Sequence, residues 1–449
     1  MAPHKSLRAF LATARAALTA PPSKRTASSP PPLHFVVGNE SADLDSLCSA
    51  LFLAYFRTYS PLLRGKDHSR NILHIPVCNL PRDDLALRPE FAAVMRWAGV
   101  QSLDEVVTLS ELLLPLSGSG GEGKKEGGGG EELWILEHEE TRWVLVDHNV
   151  LTGALAKAFG NGDGEGRGVV DGCIDHHDDE GVVPPDARLR VIEKCGSCMS
   201  LVVEECAKAW EALGEEEKGG KSEDGDMKKI NAQLAKLALA PILIDTTNLG
   251  DANKTTPRDE RAVAVAEAWI ADAADSYDRA KFFAELSALK ADLSPLSIYD
   301  ILRKDYKEWV EEGNGSSLKL GTSSIAQPIA FLVDKAGGEE ELVKELEAWA
   351  TRKELDVVAL LTACEKDGVF MRDLLVWARN GPEVVEAVKG LFEGNGKETL
   401  GLSTWGEGRL DAEDGEGSWR RCWRQAGLRY SRKQIAPMLR EALKGVGKT

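Results

Sequence analysis

Basic charge, cysteine and long apolar runs are all scarce in this 449-residue chain. Lysine and arginine number 55 against 72 acids, a formal net charge of -17, which argues against a general nucleic-acid binder with a basic face. No apolar run approaches the roughly 20 residues that a membrane helix needs, so no membrane partner is expected. The eight cysteines are too dispersed for a disulfide scaffold and suit a reducing compartment. Cys195-Gly196-Ser197-Cys198 is the one C-x-x-C, and no second pair follows at zinc-site spacing. Met199-Ser200-Leu201-Val202-Val203 after it reads as a helix start. There is no internal repeat.

Acid is also missing from the first 39 residues, which carry Lys5, Arg8, Arg15, Lys24 and Arg25 among alanine, serine and proline. Residues 6–18 pattern as an amphipathic helix. The favoured expectation is a short helix packed on the body, then a Pro-rich tether through Pro32, in a cytoplasmic protein. The same composition also fits a mitochondrial transit peptide, so delivery to the matrix is the alternative.

What the chain does have is four short acidic motifs, each ending an apolar run. They are Gly38-Asn39-Glu40-Ser41-Ala42-Asp43-Leu44-Asp45, Val144-Leu145-Val146-Asp147-His148-Asn149, Cys173-Ile174-Asp175-His176-His177 and Ile242-Leu243-Ile244-Asp245-Thr246-Thr247. Runs such as Val-Leu-Val read as buried parallel strands, which places the acids at the strands' C-terminal edge, where open α/β sheets bind ligands. Carboxylates gathered there repel by roughly 4 kcal/mol per pair at 4 Å and an effective dielectric near 20. Divalent cations or protons relieve that repulsion. Two aspartates one residue apart can reach two ions about 3.5–4 Å apart, which points to a two-metal hydrolase.

The length predicts two domains. Strand His34–Val37, helix Leu47–Tyr59 and strands near Ile72–Val77, Leu133–Leu136, Trp143–Val146 and Ile242–Ile244 make an α/β alternation. A helical tract from Asp259 to about Leu289 closes it. Polar stretches at Gly118–Glu132, Gly160–Gly168 and Glu215–Asp226 read as surface insertions without chemistry. Proline at Asp292-Leu293-Ser294-Pro295 marks a boundary. The reading is thus an N-terminal segment 1–32, a catalytic domain 33–291 and a smaller α/β domain 292–449 with a mixed sheet. In the last, Ser324–Val333, Asp356–Ala363 and Phe370–Ala378 are strand candidates and Glu339–Ala350 a helix.

Taken together, the four motifs resemble those of the DHH phosphoesterases, in the branch whose C-terminal domain is called DHHA2. Within it the opening motif looks most like that of the fungal, eukaryotic cytosolic exopolyphosphatases. Leu302-Arg303-Lys304-Asp305-Tyr306-Lys307 is similar to the branch's Asp-x-Lys motif, and Ser431-Arg432-Lys433-Gln434 to its Ser-Arg-Lys signature. The resemblance implies a parallel-sheet DHH domain bearing metal, a DHHA2 lid and an active site in the cleft between them. It implies two divalent cations, Mg²⁺ or Mn²⁺, on Asp43, Asp45, Asp147, His176 and Asp245, with Asp147 bridging. Hard oxygens plus one imidazole suit those ions.

Asp175 is then expected to orient an imidazole, and His177 to steady phosphoryl oxygens or protonate the leaving group. Asn39, His148, Arg303, Lys307, Arg432 and Lys433 are the substrate-binding candidates. Asn39 stands where the family's pyrophosphatases have a histidine ligand, a departure that favours polyphosphate. His148-Asn149 resembles the pyrophosphatase version of that motif and pulls the other way. Further arginines between Arg420 and Arg440 are expected to guide a long polyanion, while Trp419 and Trp423 read as core.

The expected activity is release of orthophosphate from the end of inorganic polyphosphate by a monomer. Two ions are expected to bring a shared water's pKa from about 15.7 towards 7. The alternatives are a short-chain polyphosphatase or pyrophosphatase, a prune-like phosphodiesterase, and a polyanion-binding scaffold without catalysis.

Overall fold

The computed structural model describes residues 5–19, 33–63, 72–112, 141–159, 168–216, 224–273, 276–312, 317–366, 368–414 and 417–446. The strand expected at Leu133–Leu136, the Pro-rich tether, the Gly118–Glu132 stretch and most of the other two polar stretches lie outside them. The chain divides into two compact units, Met1–Leu289 and Lys290–Thr449.

The first unit is built on β1 (Leu33–Val37), β2 (His74–Cys78), β3 (Val107–Thr108), β4 (Thr141–Val146), β5 (Gly168–Asp175) and β6 (Leu189–Ile192). All neighbours pair in parallel, in the order β3-β2-β1-β4-β5-β6. Phe35, Val36 and Val37 are buried, as are all of residues 143–146, because helices cover both faces of such a sheet. Helix Leu44–Tyr59 begins three residues before the expected Leu47, since the Asp43 carboxylate accepts from Ser46 N at 3.0 Å and caps it. Every residue of that helix except Arg57 and Thr58 is buried.

The N-terminal helix, Leu7–Thr19, is part of this core. Leu7, Phe10, Leu11, Ala14 and Leu18 are buried, and Phe10 meets Tyr55 edge-on at 5.5 Å. Arg15 reaches Glu111 at 3.2 Å. Phe10→Ala is expected to lower the unfolding free energy by about 3–5 kcal/mol. A denaturant midpoint that hardly moved would show the helix to be a mere appendage.

Two expectations for this unit change. Ile242–Ile244 is not a strand but the last turn of helix Asp224–Asp245. Alanine and leucine dominate residues 232–243, and Leu234, Ala235, residues 237–240, Ile242 and Leu243 are all buried. A helix buried on every side loses its periodic signal, and a three-residue apolar window cannot tell it from a strand. The tract after Asp259 splits into helices Pro257–Asp272 and Arg279–Ala291. Asp278 starts the second, accepting from Lys281 N at 2.9 Å.

In the second unit, β7 (Tyr306–Glu312), β8 (Ser317–Ile325), β9 (Val357–Thr362), β12 (Asp373–Ala378), β13 (Leu402–Thr404), β14 (Ala412–Asp414) and β15 (Ser418–Gln425) form one sheet. The order is β13-β15-β12-β9-β8-β7, with β14 on β15. Only β8 and β9 pair in parallel, so the sheet is mixed. A separate hairpin, β10 (Cys364–Lys366) and β11 (Val369–Met371), takes the start of the strand expected at Phe370–Ala378. The expected strand Ser324–Val333 ends at Ile325, and helix Ile329–Ala336 follows, because Pro328 cannot continue a ladder but suits a helix start. Trp419 and Trp423 are buried in the core.

Candidate metal centre

Asp147 immediately follows β4 and adopts φ 61°, a left-handed conformation uncommon outside glycine that turns the chain sharply at the sheet edge. Its amide donates to the Ile174 carbonyl at 3.0 Å, locking this turn to β5. Asp147 Oδ2 accepts from Asn39 Nδ2 at 2.8 Å and Ser46 Oγ at 2.6 Å. Oδ1 lies 3.2 Å from His176 Nε2 and 3.7 Å from His177 Nδ1. Asp147, His176 and His177 thus bring ligand-capable atoms within 4.8 Å of one another.

The two imidazoles have different supports. His176 Nδ1 sits 3.1 Å from the Cys195 carbonyl, whereas His177 Nδ1 sits 2.8 Å from Asp175 Oδ1. Asp175 also accepts from the amides of His176 and His177 and from Asn149 Nδ2 at 2.6 Å. The imidazole oriented by Asp175 is therefore that of His177. His148 turns inward: its Nδ1 is 2.9 Å from the Val146 carbonyl, and buried Nε2 has no hydrogen-bond partner among the described residues. Burial pushes its pKa down, leaving a neutral ring that brings no charge to a substrate.

Asp45 lies deeper than its neighbour Asp43. Its Oδ1 accepts from Ser49 Oγ, Ser197 Oγ and Met199 N, and its Oδ2 from Cys198 N at 2.6 Å. It thereby docks the start of helix Cys198–Glu216 onto helix Leu44–Tyr59. Asp245 ends its own helix, and its charge acts with those of Asp45 and Asp43 on the buried Cys48 thiol. Asn39 Oδ1 accepts from Ser41 N at 2.9 Å while Nδ2 holds Asp147, so its amide serves the aspartate.

Several supports carry no sequence signal of their own. Arg88 donates to the carbonyls of Ser41 and Ala42 at 2.9 and 3.0 Å, fixing a loop in which Ala42 has φ 44°. Gly153, at φ 61°, lies where a Cβ would fall 1.5 Å from Glu40 Oε1, and Thr152 Oγ1 donates to Glu40 Oε2 at 2.9 Å. That contact ties the first motif loop to the one after β4. Gly153→Ala is expected to cost at least about 1 kcal/mol, from the left-handed backbone alone, in denaturant unfolding. Only Ser46 could have been read, since it stands at the third helical position after an N-capping aspartate.

The electrostatics invite a cation. Burial, then Asp43, pushes Asp147 up to about 7, and burial likewise raises Asp45. Burial opposes the His176 imidazolium, yet its contacts with the side chains of Asp147 and Cys195 outweigh this and push it up to about 12. The thiols nearby, Cys48 and Cys198, are held well above their usual range by burial and offer no thiolate. Carboxylate oxygens and imidazole without thiolate fit a hard divalent ion.

In the second unit, Arg432 donates to the Asp305 carboxylate at 2.7 Å and carbonyl at 2.9 Å, joining the Ser-Arg-Lys segment to the Asp-x-Lys segment. Ser431 caps helix Arg432–Lys444, and Lys433 is exposed. Lys307 lies on β7, two residues beyond Asp305. Arg303 turns to Asp300 at 2.8 Å and over the Tyr299 ring. Of the additional arginines, Arg420 is buried on the Leu410 carbonyl, Arg421 pairs with Glu413 and Arg440 with Glu311, while Arg424 and Arg429 are exposed.

Known proteins show the same division. The DHH family, N-terminal domain, matches residues 34–242, and the DHHA2 domain matches residues 284–442. A Schizosaccharomyces pombe protein named "Putative exopolyphosphatase" is 30% identical over 427 residues, covering 94% of each chain. Mouse "Exopolyphosphatase PRUNE1" is 26% identical over 428 residues, covering 92% of this chain and 76% of its own. The crystal structure of a Methanococcus jannaschii "putative family II inorganic pyrophosphatase" aligns with a TM-score of 0.49 and 21% identity, over 91% of this chain and 99% of its own. The chain belongs to the DHH family and carries a DHHA2 domain after its parallel-sheet unit.

Proposed function

We propose that the protein is a metal-dependent exopolyphosphatase that releases orthophosphate from the ends of inorganic polyphosphate. The chain is a hydrolase acting on phosphoric anhydrides, and two relatives carry exopolyphosphatase in their names. The observation that supports the reading most is the meeting of Asp147 Oδ1 with both imidazoles of the Asp-His-His motif. Asp43, Asp45, Asp147, His176 and Asp245 are the residues that would hold two ions, Mg²⁺ or Mn²⁺. Bound there, such ions supply an activated water and neutralise charge on phosphoryl oxygens.

The side chains do the rest. Asn39 and Ser46 occupy one oxygen of Asp147 and so turn the other towards the site. Asp175 fixes the His177 ring through Nδ1, which leaves Nε2 to pass a proton to the departing phosphate. The His177 side chain is 41% exposed, so a substrate can reach it. Lys433, Lys307, Arg432 and Arg303 are the candidates for charge on the substrate's phosphates.

A second reading, a pyrophosphatase-like preference for short substrates, draws on His148-Asn149 after Asp147. Phosphate release from long polyphosphate, tripolyphosphate and pyrophosphate, with Mg²⁺ and Mn²⁺ each supplied alone, separates the two. Turnover confined to pyrophosphate sinks the polyphosphate reading. A protein that binds polyphosphate but releases nothing with either ion is a scaffold.

A further inference from the structure

We propose that Asp259, which belongs to none of the four acidic motifs, is a positioning residue for the metal centre; the assignment rests on the reading of that centre above. Asp259 is fully buried in the first turn of helix Pro257–Asp272. Its Oδ2 accepts from Thr256 N and Oγ1 at 2.8 and 2.7 Å, the usual reach of a capping box. A cap needs no more than that. Yet Oδ2 also accepts from Gly196 N at 2.9 Å, and Oδ1 accepts from Ser197 N at 3.2 Å and Ser200 Oγ at 2.6 Å. Three of its five donors thus come from one segment some sixty positions earlier in the chain.

That segment supports two of the assigned ligands. The Cys195 carbonyl faces His176 Nδ1 at 3.1 Å, which keeps the proton there and leaves Nε2 as the ligating atom beside Asp147. Ser197 Oγ, Cys198 N and Met199 N hold Asp45. Gly196 permits the close fit, since a Cβ there would fall 2.6 Å from Thr246 Cγ2 and 2.9 Å from Asp259 Oδ2. Thr246 directly follows Asp245, so the segment also abuts the fourth motif. Cys195-Gly196-Ser197-Cys198, unremarkable as a thiol pair, is the bracket that registers three motifs, and Asp259 is its anchor.

Asp259→Asn is the decisive variant because it keeps the shape. Whichever way the amide lies, its NH₂ faces a backbone N–H, of Gly196 and Thr256 on one side or of Ser197 on the other. Calorimetric titration of the full chain with Mn²⁺ should show affinity reduced by about 10–100-fold, while far-ultraviolet dichroism stays unchanged. Nitrogen coupling from His176 in the Mn²⁺ paramagnetic spectrum should weaken alongside. Gly196→Ala, which displaces the same segment with Asp259 intact, should reproduce both effects and serves if Asp259→Asn does not fold. Wild-type Mn²⁺ affinity and nitrogen coupling in a folded variant overturn the proposal. Asp147→Asn is the control: if it too binds Mn²⁺ normally, the centre itself is misread.

Discussion

Asp147→Asn is expected to abolish phosphate release while leaving the metal-free protein folded. The substitution keeps the side chain's shape but removes the charge to which His176 and His177 are presented. An amide also cannot accept from Asn39 and Ser46 on one side and face a cation on the other with the same force. Losing several kcal/mol of charge stabilisation corresponds to a fall of about 10³-fold or more in kcat. Stability should change little. Asp147 is raised to about 7 by burial and by Asp43, so its charged form is disfavoured in the folded state at neutral pH. A neutral amide removes that penalty but also withdraws the carboxylate that supports the His176 imidazolium. Phosphate release from polyphosphate under saturating Mg²⁺, with a chelated thermal melt at pH 8, tests both halves. A variant keeping a tenth of wild-type turnover would contradict the assignment.

The second large effect concerns pH and metal together. A carboxyl whose folded pKa lies near 7 binds more protons folded than unfolded between about pH 4 and 7. Stability of the metal-free protein should therefore fall as pH rises through that window and carry the full penalty above it. His176 acts in the same direction. Its pKa is pushed up to about 12 despite burial, so its contribution is complete below its unfolded value near 6.5 and drains away as pH rises towards 12. Divalent ions take over from these protons, so the gain in Tm on adding Mg²⁺ or Mn²⁺ should be larger at pH 8 than at pH 5. At 100 times the dissociation constant, binding is worth about 2.7 kcal/mol. For a domain of about 150–250 residues that is roughly 5–10 °C. Equal gains at both pH values would show that the ions bind elsewhere.

How much of this could be read beforehand differs from residue to residue. Asp43, Asp147, Asp175, His176 and His177 stand beside short, regular patterns, and β1, β4 and β5 lie where those patterns put them. Asp245 was visible as an acid after Ile-Leu-Ile, but its helix was not, because full burial erased the period. For His148 and Asn39 the neighbours were legible, but the orientation of each side chain was not. Whether an imidazole turns outward or against Val146, and which atom of an amide meets Asp147, depends on packing around the turn. The basic stretch after Arg420 looked like one surface. Along β15, Arg420 is instead buried and Arg421 pairs with Glu413.

The chain's order of residues alone determined the chemistry of the candidate ligands: carboxylates and imidazole at the ends of apolar runs, with no thiolate pattern to compete. It did so because charge, hardness and side-chain alternation are local properties. Tertiary structure decided how the side chains of the candidate ligands Asp45, Asp147 and His176 are oriented. Ser46 meets Asp147 across 101 positions and Cys198 meets Asp45 across 153, partnerships that exist only once the helices stack on the sheet. A carboxylate's second oxygen and an imidazole's second nitrogen are set by such distant donors and acceptors, and no short window of sequence contains them.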